Sequence, residues 1–442
     1  MSNSSVMGMP VSETASVTPD ERKVLTATLV GTAIEWYDYF IYAQMAGLVL
    51  GTLFFAPLAQ SNPAMAQIIS FATIGISFLF RPLGAIVCGS LGDRLGRKAV
   101  LVMTLVLMGG STMLIGLLPS YAQIGVWAPI LLVLLRVVQG FSAGGEWGGA
   151  ALMSVEHAPR HRRSFFGSFP QIGVPIGLVL ATLVLSVLTS SMSNEQFLAW
   201  GWRIPFLLSL GLVWVGSLIR RTVGESPIFE QMHARKAESS APLRTLFSAH
   251  GGQVLRTALI FVGNNAAGYL LIAFFVASGR KRLGLAATPL LLTCMAASVS
   301  WLLFTLLGGI MGDRLGRVRT FQIGYVLLAL WAVPMWWLVD SGSLALFFVA
   351  LAVLSIPLGL TYGPQAALYA EMFPANVRFS GVSIGYALGT ILGGAFAATV
   401  AEWIITSFGH SYYIGIYIAA LALVSLLAVS LTRERMGVDL SK

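Results

Sequence analysis

GSLGDRLGRK at residues 89–98 returns as GIMGDRLGRV at residues 309–318, an offset of 220. A second pair keeps almost the same distance. Glu156, Pro159 and Arg163 form E-x-x-P-x-x-x-R, and Glu371, Pro374 and Arg378 repeat that spacing 215 residues later. Two motifs at nearly equal offsets mark a duplicated unit. Each GDRLGR is a very short polar stretch between long apolar runs, with glycines that permit a tight turn. The nature of those runs decides what has been duplicated.

The chain has 442 residues, of which 56% are hydrophobic and only 10% charged, with a mean hydropathy of +0.81. A soluble domain is about a quarter charged, so this is an integral membrane protein. A helix needs about 20 apolar residues to cross a bilayer. Twelve runs qualify: 25–50, 66–90, 99–118, 127–156, 164–188, 203–222, 253–278, 288–311, 319–339, 343–371, 379–403 and 411–432. The runs at 127–156 and 343–371 exceed one bilayer thickness and are expected to tilt or project. The expected fold is an all-α membrane protein of 12 transmembrane helices in two pseudo-symmetric six-helix bundles. The expected units are a tail at 1–24, a bundle at 25–222, a linker with some amphipathic helix at 223–252, a bundle at 253–432 and a tail at 433–442. The polar start of the chain has no apolar core and reads as a retained cytosolic tail rather than a signal peptide.

A net charge of +9 raises the question of nucleic acid, but most basic residues fall in alternate loops, on the side that also carries both termini. That pattern sets orientation and predicts both termini in the cytosol, with no nucleic-acid partner. Cys88 and Cys294 lie in apolar spans of different halves and read as buried small residues, with no disulfide or metal spacing. Asp93, Arg94, Arg97, Asp313, Arg314 and Arg317 of the two turns share a face with Glu156, Arg163, Glu371 and Arg378. Singly, such charges are solvated turn residues worth little. In two matched copies they predict a cytosolic latch between helices.

Twelve spans, the duplicated G-x-L-G-D-R-x-G-R-K and an R-x-x-Q-G in span four resemble the major facilitator superfamily. EWYDYFIY at 35–42, FLFRPLGA at 78–85, RVVQGFSAGGEWGGAA at 136–151 and WGWRIPF at 200–206 resemble its metabolite:proton symporter branch, which includes shikimate, α-ketoglutarate, citrate and proline/betaine permeases. The resemblance covers nearly the whole chain. It implies the major facilitator fold, the inner membrane of a bacterium, and alternating access, in which two bundles rock about a central site.

Glu35, Asp38, Arg81, Arg136 and Glu146 fall near mid-depth of spans one, two and four, and Gln139 follows Arg136 at i+3. A charge at the bilayer centre costs about 2.5–3.5 kcal/mol, so these groups are expected to pair or to face a cavity. A purely structural ion cluster is one reading; a proton and substrate site is the favoured one. The five histidines lie elsewhere, which leaves a carboxylate to carry the proton. A carboxylate beside an arginine stays ionised, and one that loses that partner in an apolar site takes up a proton. Arg136 moving between Asp38 and substrate would couple the two. Related facilitators set an aspartate on span one opposite an arginine on span four, and Asp38 and Arg136 stand at those places. Glu35 is the second candidate, and Glu146, among glycines, can instead serve close packing.

The second half carries almost no charge at matching depth. Trp301 stands where the 220 offset would put an arginine. Asn264, Asn265, Tyr269, Tyr362, Gln365 and Tyr386, with Tyr42 of the first half, suit a small polar substrate; each singly can be an interhelical hydrogen bond. Two arginines at depth favour an anion, so the expected substrate is a carboxylated metabolite, shikimate-like or a small di- or oxo-acid. Zwitterions such as proline or betaine are the alternative, and a drug exporter of the same fold is another. The short segment after span twelve disfavours an osmosensor with a long charged tail. No enzyme motif appears, and internal symmetry argues against a channel. No cofactor or metal is expected beyond the proton as coupling ion, and the default state is a monomer in the lipid bilayer.

Overall fold

The computed structural model describes residues 18–95, 97–221, 224 and 242–440. The rest of the expected tails and linker lies outside the described residues, as do the side chains of Asp93, Arg94 and Arg97. Among the described residues twelve long helical units follow one another. In the first half they are α1 (Pro19–Met45, a π turn Ala46–Leu50, then Gly51–Phe54), α2 (Pro63–Leu79 and Arg81–Leu95), α3 (Arg97–Leu117), α4 (Trp127–Glu156), α5 (Arg163–Ser191) and α6 (Ile204–Arg221). In the second they are α7 (Pro242–Tyr269, a π turn Leu270–Phe274, then Phe275–Leu283), α8 (Ala287–Arg314), α9 (Arg317–Trp331 and Met335–Val339), α10 (Leu344–Tyr362 and Gln365–Met372), α11 (Arg378–Gly393 and Ala397–Phe408) and α12 (Tyr412–Ser430). Ten candidate spans are long and apolar enough to cross a membrane among the described residues. The two units outside that set are α1, which carries the Glu35–Asp38 pair, and α9, broken at 332–334.

Local chemistry explains the starts and breaks. Thr18 caps α1: its hydroxyl accepts from the Glu21 amide at 3.3 Å, the Glu21 carboxylate accepts from the Thr18 amide at 2.8 Å, and Pro19 sits where no amide hydrogen is needed. Unit α2 breaks at Phe80, just before Arg81-Pro82, and α10 breaks at Gly363-Pro364. Residues 242–252, expected in the linker, are the first turns of α7. The π turns of α1 and α7 occupy corresponding places in the two halves.

The halves meet along two symmetric seams, α5 with α8 and α2 with α11, while α4 also packs on α11. Within the first half, small residues bring α2 and α4 together. A methyl on Gly140 would fall on the Ser77 carbonyl oxygen, one on Gly84 on the Phe141 carbonyl, and one on Gly144 on the Arg81 carbonyl. The Gly385–Gly389–Gly393 stripe does the same for α11 against α7, where a Cβ on Gly389 would lie 2.7 Å from the Ala258 carbonyl oxygen. On the outer surface Trp214, Leu330 and Trp337 stand two-thirds or more exposed, as a lipid-facing rim requires.

Candidate substrate cavity and latch

Arg136 is fully buried on α4. Its Nη1 donates to Gln139 Oε1 at 2.5 Å, its Nη2 to Ser77 Oγ at 2.9 Å, and its Nε reaches the Thr73 carbonyl at 3.4 Å. The guanidinium lies 3.8 Å over the Tyr42 ring, and Tyr42 OH bonds Thr73 Oγ1 at 2.6 Å. The guanidinium plane is thus held by a ring face and by acceptors on α2 and α4, which offsets part of the cost of burying it.

Asp38 does not meet Arg136. It is fully buried, and among the described residues neither carboxylate oxygen has a hydrogen-bond partner. It points toward α3 and α6, where the hydroxyls of Thr112 and Ser209 approach it short of hydrogen-bond geometry, and a methyl on Gly109 would lie 3.4 Å from its Oδ2. Thr112 Oγ1 accepts from Gln139 Nε2 at 2.7 Å. Thr112 and Gln139 therefore stand between the aspartate and the arginine. The expected direct pairing fails because Gln139, one helical turn from Arg136, takes the guanidinium itself.

Glu35, one turn earlier, looks the other way. Its charge acts on Arg81 of α2 and on Tyr269, Tyr362 and Tyr386 of the second half. Arg81 is buried, with its guanidinium 4.1 Å over Phe78 and 5.5 Å from the Tyr39 ring. Glu146 departs from the expected cluster: it accepts from Thr104 Oγ1 of α3 at 2.5 Å and faces Cys88 of α2. It ties helices within the first bundle, and the glycines around it let that packing close. The five ions expected in one place are thus divided among three settings.

Between the bundles lies a cavity of about 20 Å³, room for about one water. Asn264, Asn265, Tyr269, Tyr362 and Tyr386 line it, as does Trp36 beside Glu35. Among the described residues Asn265 Nδ2 and Tyr269 OH are buried without a hydrogen-bond partner, whereas Asn264 donates to the Leu358 carbonyl and to Thr361 Oγ1. Gln365 is turned aside: its Oε1 accepts from Gln171 Nε2 at 2.9 Å, and Gln171 Oε1 accepts from Trp147 Nε1 at 2.8 Å. Trp147 stacks on Tyr386 across the interface at 3.9 Å. Sequence reading missed this Trp147–Gln171–Gln365 bridge, and also Trp36 and Phe261. Trp147 sits in the quoted GGEWGG, where glycines on both sides bare the indole; that was the available signal.

The end of the molecule that carries the described chain termini, here the terminal face, is closed by crossed ion pairs. Glu156 of the first half faces Arg378 of the second at 3.7 Å, and Arg163 of the first faces Glu371 of the second at 3.4 Å. The duplicated E-x-x-P-x-x-x-R exchanges partners between its two copies. Arg317 adds 3.2 Å to Glu371 and 3.4 Å to Asp313. Asp313 also crosses the seam, accepting the Ser164 and Phe165 amides at 2.9 Å each and so capping α5 from the other bundle. Arg314 is exposed and outside this network.

The family model described as "Sugar (and other) transporter" matches residues 23–249 and 229–440. The chain is 40% identical to the inner membrane metabolite transport protein YhjE of Escherichia coli K12 (93% of this chain, 94% of that protein) and 36% identical to the shikimate transporter of the same organism (95% and 98%). It is 32% identical to the proline/betaine transporter of Salmonella typhimurium LT2 (92% and 82%). Among solved structures it is similar to the proton:xylose symporter XylE bound to 6-bromo-6-deoxy-D-glucose, with a TM-score of 0.76 and 19% identity over 96% and 98% of the two chains. The chain belongs to the sugar (and other) transporter family of major facilitators. It is a membrane transporter of metabolites with the twelve-helix fold, not an enzyme.

Proposed function

We propose that the protein is a proton-coupled symporter that takes up a small carboxylated metabolite by alternating access across a bacterial inner membrane. The observation that carries this reading is Asp38: a wholly buried carboxyl with no counter-ion among the described residues, set apart from a buried arginine by the hydrogen-bonded Thr112 and Gln139. An ionised carboxylate there is costly without a partner. Proton uptake removes that cost, and proton loss on the inward side restores it, so the proton changes the balance between two helix arrangements. Arg81, beside the cavity and flanked by Glu35 and Tyr269, is the group best placed to receive a substrate carboxylate. Asn265 and Tyr269 have unused donors for the rest of the molecule. The present cavity is too small for such a substrate, so the bundles must part along α2/α11 or α5/α8 to admit it. With the termini cytosolic, the crossed pairs form the inner gate. The monomer is the proposed unit, with the proton as the coupling ion and no other cofactor.

A second reading has its own support. Trp36, Phe261, Tyr269, Trp301, Tyr362 and Tyr386 surround the cavity beside Glu35, a setting that suits a quaternary ammonium and hence a betaine-like zwitterion.

The coupling test is Asp38→Asn in proteoliposomes. Substrate-driven alkalinisation should vanish while exchange of unlabelled for labelled substrate persists; alkalinisation at the wild-type level would reject Asp38. For the substrate, a thermal-shift panel of organic acids should stabilise the purified protein, and a response to betaine and proline alone would favour the second reading.

A further inference from the structure

A second hollow, of about 360 Å³, opens on the terminal face between the start of α7, the end of α10 and segment 431–435. Its polar walls include Arg256, Arg433 and Arg435, with Gln253 and Glu371. Glu371 is already engaged by Arg163 and Arg317. The neighbouring Glu434, whose charge acts on Glu371, is engaged by the Val318 amide, from which it accepts at 2.9 Å. Among the described residues none of the three arginines makes an ion pair; Arg256 donates only to the Leu431 carbonyl, at 3.1 Å. Three guanidiniums without an ion-pair partner among the described residues thus line one recess.

The segment that carries two of them is pinned in place. Arg163 of the first bundle donates to the Val438 carbonyl at 2.6 Å, Arg378 donates to the Leu440 carbonyl at 2.7 Å, and Arg160 pairs with Asp439 at 3.4 Å. Leu440 is buried. The arginines are therefore held at the recess and do not trail from a loose end.

We infer that this recess binds a multivalent oxyanion of the phosphate type, which ties segment 431–440 to α7 and holds the terminal face closed. A tetrahedral dianion offers oxygens in several directions and can meet guanidiniums arriving from two elements, where a monocarboxylate offers one edge. Because the segment already holds Arg160 and Arg163 of the other bundle, fixing it to α7 adds a strap across the interface. The phosphate group can come from a free anion or from a lipid headgroup.

The test uses the full chain in detergent, titrated calorimetrically with inorganic phosphate against chloride at equal ionic strength. Wild type should bind phosphate saturably. Arg433→Gln/Arg435→Gln should bind it about tenfold or more weakly, as loss of charge-assisted hydrogen bonds implies. Arg319→Gln, which removes an exposed charge elsewhere on the same face, should bind as wild type does. In vesicles of phosphatidylcholine with or without phosphatidylglycerol, the occupied recess should slow thiol labelling of Asn265→Cys from the terminal face. Phosphate binding that slows labelling identifies a free anion. A phosphatidylglycerol effect that is lost in the double variant, without phosphate binding, identifies a headgroup. The inference fails if neither effect appears, if Arg319→Gln is as damaging as the recess pair, or if binding leaves labelling unchanged. Neither readout depends on the transported substrate or on the proton, so the outcome is separable from that of the symport proposal.

Discussion

Arg136 remains charged in an apolar interior because each edge of its guanidinium has an acceptor and its face has a ring. A lysine would keep the charge and lose the fork, since one ammonium cannot reach Ser77, Gln139 and the Thr73 carbonyl together. Arg136→Lys should express and fold but lose uptake by about tenfold or more, from one or two charged hydrogen bonds at about 1.5–3 kcal/mol each. Initial uptake rates normalised to protein in the membrane would check this, and a wild-type rate would remove Arg136 from the mechanism. At this scale the sequence identifies which side chains are buried ions but not their partners. Spacing along one helix gives a face to within a turn, and Glu35 and Asp38, one turn apart, still look to opposite bundles. Asp38 meets hydroxyls of α3 and α6 that carry no charge signal to announce them.

The helices themselves were far more legible, because twenty apolar residues are required for each crossing and Gly, Pro and Arg punctuate them. What sequence could not supply was the cross-bundle detail, such as Asp313 capping α5 from α8, which depends on how two repeats dock. That cap is testable. Asp313→Ala leaves the Ser164 and Phe165 amides without acceptors at the start of a 29-residue helix, and should cost about 1–2 kcal/mol. Asp313→Asn should recover part of it through its remaining carbonyl oxygen. Thermal unfolding midpoints in detergent should rank wild type above Asn above Ala; an alanine variant as stable as wild type would show that the cap contributes nothing. Packing at the α2/α4 crossing is equally exposed to test. The methyl of Gly140→Ala meets the Ser77 backbone, which cannot rotate aside, and overpacking of this kind costs about 1–3 kcal/mol. Because Ser77 also holds Arg136, the same variant should lower both the unfolding midpoint and uptake.

At the scale of the whole molecule, the duplicated motif explains why the halves close together. Each copy supplies one glutamate and one arginine, and each glutamate is answered by the other copy's arginine, so neither bundle can rotate without opening both pairs. The central cavity and the terminal face then belong to one equilibrium: a closed latch and a cavity with room for about one water are two aspects of the same arrangement. Removing one partner of a buried ion pair costs about 3–5 kcal/mol, and about 1.4 kcal/mol shifts a two-state balance tenfold. Glu371→Gln, which removes the charge that pairs with both Arg163 and Arg317, should therefore raise the population open at the terminal face by at least about tenfold. The readout is a cysteine at the cavity-lining Asn265, with Cys88 and Cys294 replaced by serine, labelled by a membrane-impermeant maleimide added from the terminal side. Labelling should be at least about tenfold faster in the Glu371→Gln background and unchanged with Arg314→Gln, whose arginine lies outside the network. Equal rates with and without Glu371 would mean that the crossed pairs decorate a closed state that packing along α5/α8 and α2/α11 holds by itself.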